Sequence, residues 1–401
     1  MKKFSLYAVL AAATLAGVSC SNDDVLVQSP NVDKPIEFGT YTGRTAALAP
    51  TRAHSVETAA TLAADGGFGV FAFYTNNEDY SNTATPNFMY NQQVTSTDGV
   101  NWAYSPLKYW PNDETDKLTF FAYAPYANHA STTDNFEFST NVAAGDPLVT
   151  FTINNEVKNQ QDLLWSNSAT DNIIKNTTNG VGVGEKTLFE FKHALSRIGF
   201  TVKAITDEVI ADATNPNNLD AATTIVLKEI RLTADKVVGN TAPTAGIFYT
   251  TGTLNLNNRT EVAAWTAQSG TQYFTVNNDD FEAQSSSLYD NDGFVLNSGN
   301  ATNVNKLNTD DSYIMIIPQN LVGTGFIVYV EYDVITVDSN LTGGKSIVTN
   351  HISTPVEINF LSGKSYQLNL QLGMTSVKVD ATVANWVDAA DTNVDLPVNQ
   401  N

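Results

Sequence analysis

Short apolar runs of strand length are the feature that most constrains the fold of this chain. Runs rich in Val, Ile, Phe, Tyr and Thr recur between clusters of Gly, Asn, Asp and Pro, a composition typical of β-strands separated by turns. The strongest are residues 68–75 (FGVFAFYT), 118–123 (LTFFAY) and 326–336 (FIVYVEYDVIT). Helical periods are scarce, so the sequence predicts an all-β protein.

The runs differ in how many faces they bury. Tyr366, Leu368, Leu370 and Leu372 alternate with polar residues, and a period of two places them on one face of a strand whose other face is wet, as in a β-sandwich. Residues 68–74 are apolar at both odd and even positions, so both faces of the strand are apolar, which predicts a strand in the middle of a sheet.

The length of 401 residues is enough for about two domains of roughly 100–200 residues each. A Gly-rich stretch at 180–184 precedes a strong run at 188–202, and the far end of that run leads into a loop predicted at 211–220. We therefore place a domain change near residue 200. This gives an N-terminal β-sandwich at residues 35–200 and a C-terminal β-sandwich at residues 201–401.

The N-terminus carries an export signal. In residues 1–19, Lys2 and Lys3 precede an apolar stretch that is too short to span a membrane comfortably, which predicts a signal peptide. Cys20 is the only cysteine and follows small residues, as in a bacterial lipobox; the alternative is an unpaired exported cysteine without a role. Residues 20–34 are then a lipidated tether, and Asp23-Asp24 resembles a signal for the outer face of the outer membrane. No disulfide can form within the chain.

Charge and histidine spacing argue against several function classes. The 42 acidic and 21 basic residues give a net charge of −21, and a field of this sign repels the phosphates of nucleic acid. None of the histidines forms an H-x-x-x-H pair, and no cysteine remains for a zinc site. The sequence predicts a protein that is not an enzyme and needs no metal or cofactor.

Two glycine-lysine pairs resemble the phosphate-binding loop only in part. Gly344-Lys345-Ser346 and Gly363-Lys364-Ser365 both lack the opening glycine of that motif. Hairpin turns, which favour glycine, account for both.

The tryptophans have two possible roles. They could stack on sugars, as in exported glycan-binding lipoproteins, but tryptophan is highly buried on average, so we expect most of them in the core. The five are Trp102, Trp110, Trp165, Trp265 and Trp386.

Several longer motifs together resemble the Bacteroidales fimbrillin (Mfa-like) family. They are residues 68–74 (FGVFAFY), 102–111 (WAYSPLKYWP), 120–126 (FFAYAPY), 191–198 (FKHALSRI) and 384–386 (ANW). The resemblance implies two transthyretin-like β-sandwiches in tandem and export as a lipoprotein precursor. It also implies trimming by an arginine-specific or trypsin-like protease and polymerisation into a surface fimbria.

The resemblance implies cleavage after an early arginine, and two arginines match. Arg52, in Thr51-Arg52-Ala53, fits the family pattern better than Arg44. His193 lies in one of the family motifs, and we interpret it as structural rather than catalytic.

Strand donation between subunits would follow from this processing. Residues 36–41 (IEFGTY) alternate like a strand and precede both arginines, so cleavage would free them and leave a groove for a neighbour to fill. Val394, Leu396 and Val398 recur at period two and are the predicted donor residues. Residues 377–383 are the next candidate, and a frayed polar tail is the alternative for the C-terminus.

Two functions of different class remain open. A fimbrial subunit that supports adhesion needs a removable strand and an early arginine. A surface-exposed glycan-binding lipoprotein for nutrient capture needs a row of exposed aromatic side chains and keeps its lipid.

The lipobox gives a direct test. We expect Cys20→Ala to abolish labelling by a radioactive or clickable fatty acid and to stop delivery to the cell surface, because the thiol is the acceptor of the lipid. Labelling of precursor and variant in parallel checks this, and normal labelling of the variant would contradict it.

Overall fold

A computed structural model describes most of the chain after residue 34. The described residues are 35–41, 59–111, 113, 115–130, 135–166, 186–205, 211–212, 215–257, 262–277, 280–281, 293–308, 312–386 and 394–396. Nearly all regular structure in them is β, which confirms the all-β prediction. In this part of the chain, no helix is long and apolar enough to cross a membrane.

The first half of the chain supplies the helical turns and the first twelve strands. They are β1 (Phe38–Tyr41), α1 (Ala59–Ala64), β2 (Phe68–Tyr74), β3 (Met89–Ser96), β4 (Trp102–Ala103), β5 (Leu118–Ala124), β6 (Phe136–Phe138), β7 (Leu148–Thr152), a 3-10 turn (Val157–Asn159), β8 (Leu164–Ser166), β9 (Thr187–His193), β10 (Ser196–Ala204), β11 (Ala211–Asp212) and β12 (Asn215–Leu219). The loop predicted at 211–220 is wrong, because β11 and β12 pair there as a short antiparallel hairpin.

The second half supplies the remaining strands. They are β13 (Thr223–Thr233), β14 (Thr251–Asn255), β15 (Trp265–Ser269), β16 (Phe274–Asn277), β17 (Phe294–Leu296), β18 (Asn305–Lys306), β19 (Ile314–Ile316), β20 (Phe326–Val337), β21 (Lys345–Val356), β22 (Lys364–Leu372), β23 (Val377–Asn385) and β24 (Val394–Leu396). Gly344 lies in the turn between β20 and β21 with a φ of +72°. One glycine-lysine pair is therefore part of a hairpin, as predicted.

A seven-stranded sheet organises the N-terminal part in the order β1-β9-β8-β5-β2-β3-β4. β1 pairs with β9 in parallel, and the other neighbours pair antiparallel. The run at 68–74 is β2, between β5 and β3. Phe71 and Phe73 join a large core on one face of this strand, and Phe68, Val70 and Ala72 join a smaller core on the other. Both faces are buried, which explains the absence of alternation.

A four-stranded sheet in the order β15-β14-β7-β6 joins distant parts of the sequence. β7 pairs antiparallel with β14, with Thr152 opposite Thr251 and Leu148 opposite Asn255. Strands from both sides of residue 200 thus complete one sheet. The division into sandwiches at 35–200 and 201–401 stays a prediction.

Two further sheets are built from β10 and the strands that follow it. The first has the order β18-β10-β22-β23-β24, with β19 also on β10, and the second has the order β16-β13-β20-β21, with β17 also on β13. β10 and β22 pair in parallel, whereas β22 and β23 pair antiparallel. Leu368, Leu370 and Leu372 of β22 enter the large core, so the predicted alternation is confirmed.

Candidate functional site

The segment from Pro35 to Tyr41 lies between two separate parts of the N-terminal half. On one side the Glu37 carbonyl accepts a hydrogen bond from the Thr187 amide (2.7 Å), and β1 continues in parallel along β9. On the other side the Ile36 amide donates to the Lys108 carbonyl (2.9 Å). This segment therefore joins the β9 edge of the seven-stranded sheet to the connection that follows β4.

The same segment seals the smaller core. Ile36 and Phe38 are fully buried, and the Phe38 ring lies 5.2 Å from Tyr104, 5.7 Å from Phe120 and 5.6 Å from Phe189, centroid to centroid. Burying a side chain of this kind contributes roughly 1.5–3 kcal/mol. The predicted strand at 36–41 is thus confirmed at 38–41, and residues 36–37 lie in the same groove outside the strand.

The Tyr104 hydroxyl holds the backbone of residue Ile36, just before β1. It donates a hydrogen bond to the Ile36 carbonyl (2.8 Å) and accepts one from the Lys108 amide (3.3 Å). Burial, the main cause, raises the pKa of the Tyr104 phenol to about 12, with a minor contribution from the Glu37 charge. The hydroxyl is therefore neutral at neutral pH and able to donate.

Without the segment, this groove would be open. The Thr187 amide would lose the Glu37 carbonyl, the Lys108 carbonyl would lose the Ile36 amide, and the rings around Phe38 would face water. An unpaired edge of this kind is a template for another strand. The arrangement can bind an extended peptide with alternating apolar side chains, and it holds one from its own N-terminus.

The C-terminal strand sits at a sheet edge far along the chain. Val394–Leu396 form β24, which pairs antiparallel with β23 so that Val394 lies opposite Val383 and Leu396 opposite Ala381. Among the described strands, β24 pairs only with β23. Donation of this strand to a neighbour stays a prediction.

The alternative donor at 377–383 is firmly built into the fold. It belongs to β23, which pairs with β22 along its whole length from Val377 to Asn385. Val377, Val379 and Ala381 are buried in the large core. Removing this strand would dismantle a sheet, which weighs against its use as a donor.

His193 takes part in a packed cluster at the end of β9. Its Nδ1 lies 2.7 Å from Asp162 Oδ2, and its ring stacks on Trp386 at 4.0 Å between centroids. The Arg197 guanidinium lies 5.0 Å from the Trp386 ring. These contacts tie the end of β9 to the end of β23, which agrees with a structural reading of the histidine.

Several predicted positions lie outside the described residues. They are the lipidation site Cys20, the processing sites Arg44 and Arg52, and Val398 of the donor strand. Within the described part of the chain, no group of three His, Cys, Asp or Glu side chains is arranged to hold a metal ion.

Sequence reasoning missed Tyr104 and Lys108. Both lie inside the family motif at 102–111, but their contacts are with Ile36, which is 68 residues from Tyr104. The only available signal was the clustering of aromatic residues in that motif.

A family model that matches most of the chain shows which protein family the chain belongs to. The model of the fimbrillin-like family matches residues 51–386. The chain belongs to the fimbrillin-like family. The resemblance carried by the sequence motifs is therefore confirmed.

A curated relative and a solved structure agree with membership of the fimbrillin-like family. The chain is 27% identical over 413 residues to the fimbrium subunit Fim1C of Phocaeicola vulgatus, covering 99% of this chain and 100% of the relative. The crystal structure of a fimbrial protein from Bacteroides vulgatus superposes with a TM-score of 0.66 at 24% identity, covering 88% of this chain and 100% of that one. The second similarity shows a shared fold.

The hydrogen bond from Tyr104 gives a test of how residues 35–41 are held. We expect Tyr104→Phe to weaken their docking by roughly 0.5–1.5 kcal/mol at pH 7, because a hydrogen bond to the Ile36 carbonyl is lost. Amide exchange at Ile36, whose N–H faces Lys108, measures this. The matched control is Tyr109→Phe, since the Tyr109 side chain is 47% exposed.

The same pair of variants has a predicted pH dependence. The folded pKa of Tyr104, about 12, lies above the ordinary value of 10.0, so the tyrosine stabilises the folded state fully below pH 10 and loses this effect as the pH rises to 12. We expect the stability difference between wild type and Tyr104→Phe to shrink across that window. A difference that stays constant would contradict the role given to this hydroxyl.

Proposed function

We propose that this protein is a structural subunit of a surface fimbria that supports adhesion. In this proposal the chain is exported as an outer-membrane lipoprotein precursor, and an arginine-specific or trypsin-like protease cleaves after Arg52 or Arg44. The N-terminal segment then leaves, and a strand from another fimbrial subunit replaces it. The observation that carries the proposal is β1, a strand buried in a groove and located before both arginines.

Cleavage at either arginine would cut β1 from the rest of the chain. β1 ends at Tyr41, so only hydrogen bonds and apolar contacts would then hold it. The family match begins at residue 51, which leaves β1 outside the part shared with the family model. Both facts support a segment that is needed before assembly and is dispensable afterwards.

The open groove would favour a replacement strand for two reasons. Its backbone groups lie on two sides, at Thr187 and at Lys108, and a strand entering between them satisfies both without regard to sequence. The pocket that holds Phe38 is lined by Tyr104, Phe120 and Phe189. Leaving it empty would expose three aromatic rings, so a subunit without β1 is stabilised by a partner.

The C-terminal segment matches the departing strand in its chemistry. Val394-Asp395-Leu396 repeats the aliphatic, acidic and large apolar order of Ile36-Glu37-Phe38. In the single chain, β24 has pairing with β23 over three positions, compared with nine for β22 and β23. Fewer paired residues make β24 the less costly strand to release, which supports it as the donor.

The alternative function, glycan capture for nutrition, has less support. It calls for a row of exposed aromatic side chains, whereas Trp102, Trp110, Trp165 and Trp386 are all buried. Burial of four of the five tryptophans confirms that most belong to the core.

The processing step has a simple test. We expect protein isolated from fimbriae to begin at Ala53, or at Thr45 if Arg44 is the site, because the protease leaves the residue after the arginine as the new N-terminus. N-terminal sequencing measures this, with Arg52→Lys, Arg44→Lys and their combination to locate the site for an arginine-specific enzyme. Assembled protein that still begins at Cys20 would contradict the proposal.

The donor strand is tested by truncation. We expect deletion of residues 393–401 to give folded, surface-delivered monomers without fimbriae, since no strand is available to fill the neighbouring groove. The matched control deletes only residues 399–401 and keeps Val394, Leu396 and Val398. Electron microscopy and resistance of polymers to denaturant are the measurements. Long polymers from the larger deletion would show that the donor lies elsewhere.

A further inference from the structure

Trp265 differs from the other tryptophans because it is only partly buried. It begins β15, where it lies opposite Leu254 of β14. Trp102, Trp110, Trp165 and Trp386 are between 0% and 8% exposed, whereas the Trp265 side chain packs against the large core and keeps part of its surface exposed. An indole that stays partly in water is unusual enough in this chain to need a reason.

The partly buried indole of Trp265 is held in one orientation. Its Nε1 donates a hydrogen bond to the Ala194 carbonyl (2.8 Å). Its six-membered ring lies close to Gly252, where an added Cβ would stand 2.9 Å from Trp265 Cε3. Glycine therefore leaves the space that the ring occupies beside β14. A ring fixed at its edge and packed beside a strand loses little entropy when a ligand stacks on it.

A cleft of about 550 Å3 opens beside this ring. Tyr249 contributes a second aromatic side chain, and Val262 and Leu361 line the cleft while being 45% and 41% exposed. The volume falls within the roughly 300–1,000 Å3 found for small-molecule sites, which typically combine apolar walls with a few polar groups.

The polar groups of the cleft are amides and hydroxyls. Gln268 Nε2 donates to the Pro318 carbonyl (2.7 Å), and Asn320 Oδ1 accepts from the Val322 amide (3.0 Å). Each of these bonds uses one polar atom of the side-chain amide, either the nitrogen of Gln268 or the oxygen of Asn320, and fixes the orientation of that side chain. Asn359 and Thr271 also line the cleft.

The lining contains no charged side chain among the described residues, although the whole chain carries a net charge of −21. Among the described residues of the lining, an ionic ligand would find no counter-charge, and it would lose its hydration on entering. A neutral ligand with one apolar face and several hydroxyls fits each part of the cleft.

We propose that this cleft is a binding site for a neutral saccharide. The C–H face of a pyranose ring packs on the indole of Trp265, and its hydroxyls exchange hydrogen bonds with the amide side chains. The site shares no residue with the groove around β1, so it does not depend on strand donation. It would give a surface subunit its own contact with glycans.

The test uses the unassembled full chain purified from cells. Neutral mono- and oligosaccharides of glucose, galactose, mannose and their N-acetylated forms are titrated by calorimetry and by tryptophan fluorescence with acrylamide quenching. We expect at least one of them to bind and to protect Trp265 from acrylamide. Trp265→Ala should weaken that binding at least tenfold.

A second pair of variants covers the case in which Trp265→Ala disturbs folding. Leu361→Ala, in the cleft, should weaken binding, whereas Leu341→Ala, in the turn between β20 and β21, should not. The two leucines are matched, at 41% and 44% exposed. The proposal is overturned if no neutral saccharide binds, if both leucine variants behave alike, or if only peptides or charged saccharides bind.

Discussion

Backbone pairing at strand edges is the constraint on which the rest of this structure depends. The chain is nearly all β in its described part, and Cys20 is its only cysteine, so no disulfide can hold the sheets together. Each buried strand must find partners for its amides and carbonyls within the chain. The segment from Pro35 to Tyr41 meets this need for the N-terminal half, because β1 pairs with β9 and the Ile36 amide donates to the connection after β4.

The N-terminal and C-terminal strands differ in how extensively they are paired and packed. The segment from Pro35 to Tyr41 has partners on both sides and places Ile36 and Phe38 in the smaller core. β24 pairs over three positions with β23. In the proposed assembly, cleavage removes the covalent link between β1 and the rest of the chain. β1 is then held only by hydrogen bonds and apolar contacts, and another strand can replace it. In the same proposed assembly, β24, with its three paired positions, is the replacement strand.

Much of the fold could be predicted because the relevant signals are local. Alternation along β22 and the doubly apolar run of β2 follow from the period of a strand, and both proved correct. Errors arose where pairing partners are distant. The hairpin of β11 and β12 has few apolar residues, and the pairing of β7 with β14 joins residues about one hundred positions apart, which periodicity does not record.

The sequence by itself determined the all-β class, the family and the strand that the structure has at 38–41, because each depends on residue types at short spacing. Only the tertiary structure decided what that strand touches. The hydrogen bond from Tyr104 to Ile36 and the indole of Trp265 beside Gly252 bring together residues far apart in the chain. Local patterns show which face of a strand is apolar, whereas the packing of the whole molecule decides which surface meets that face.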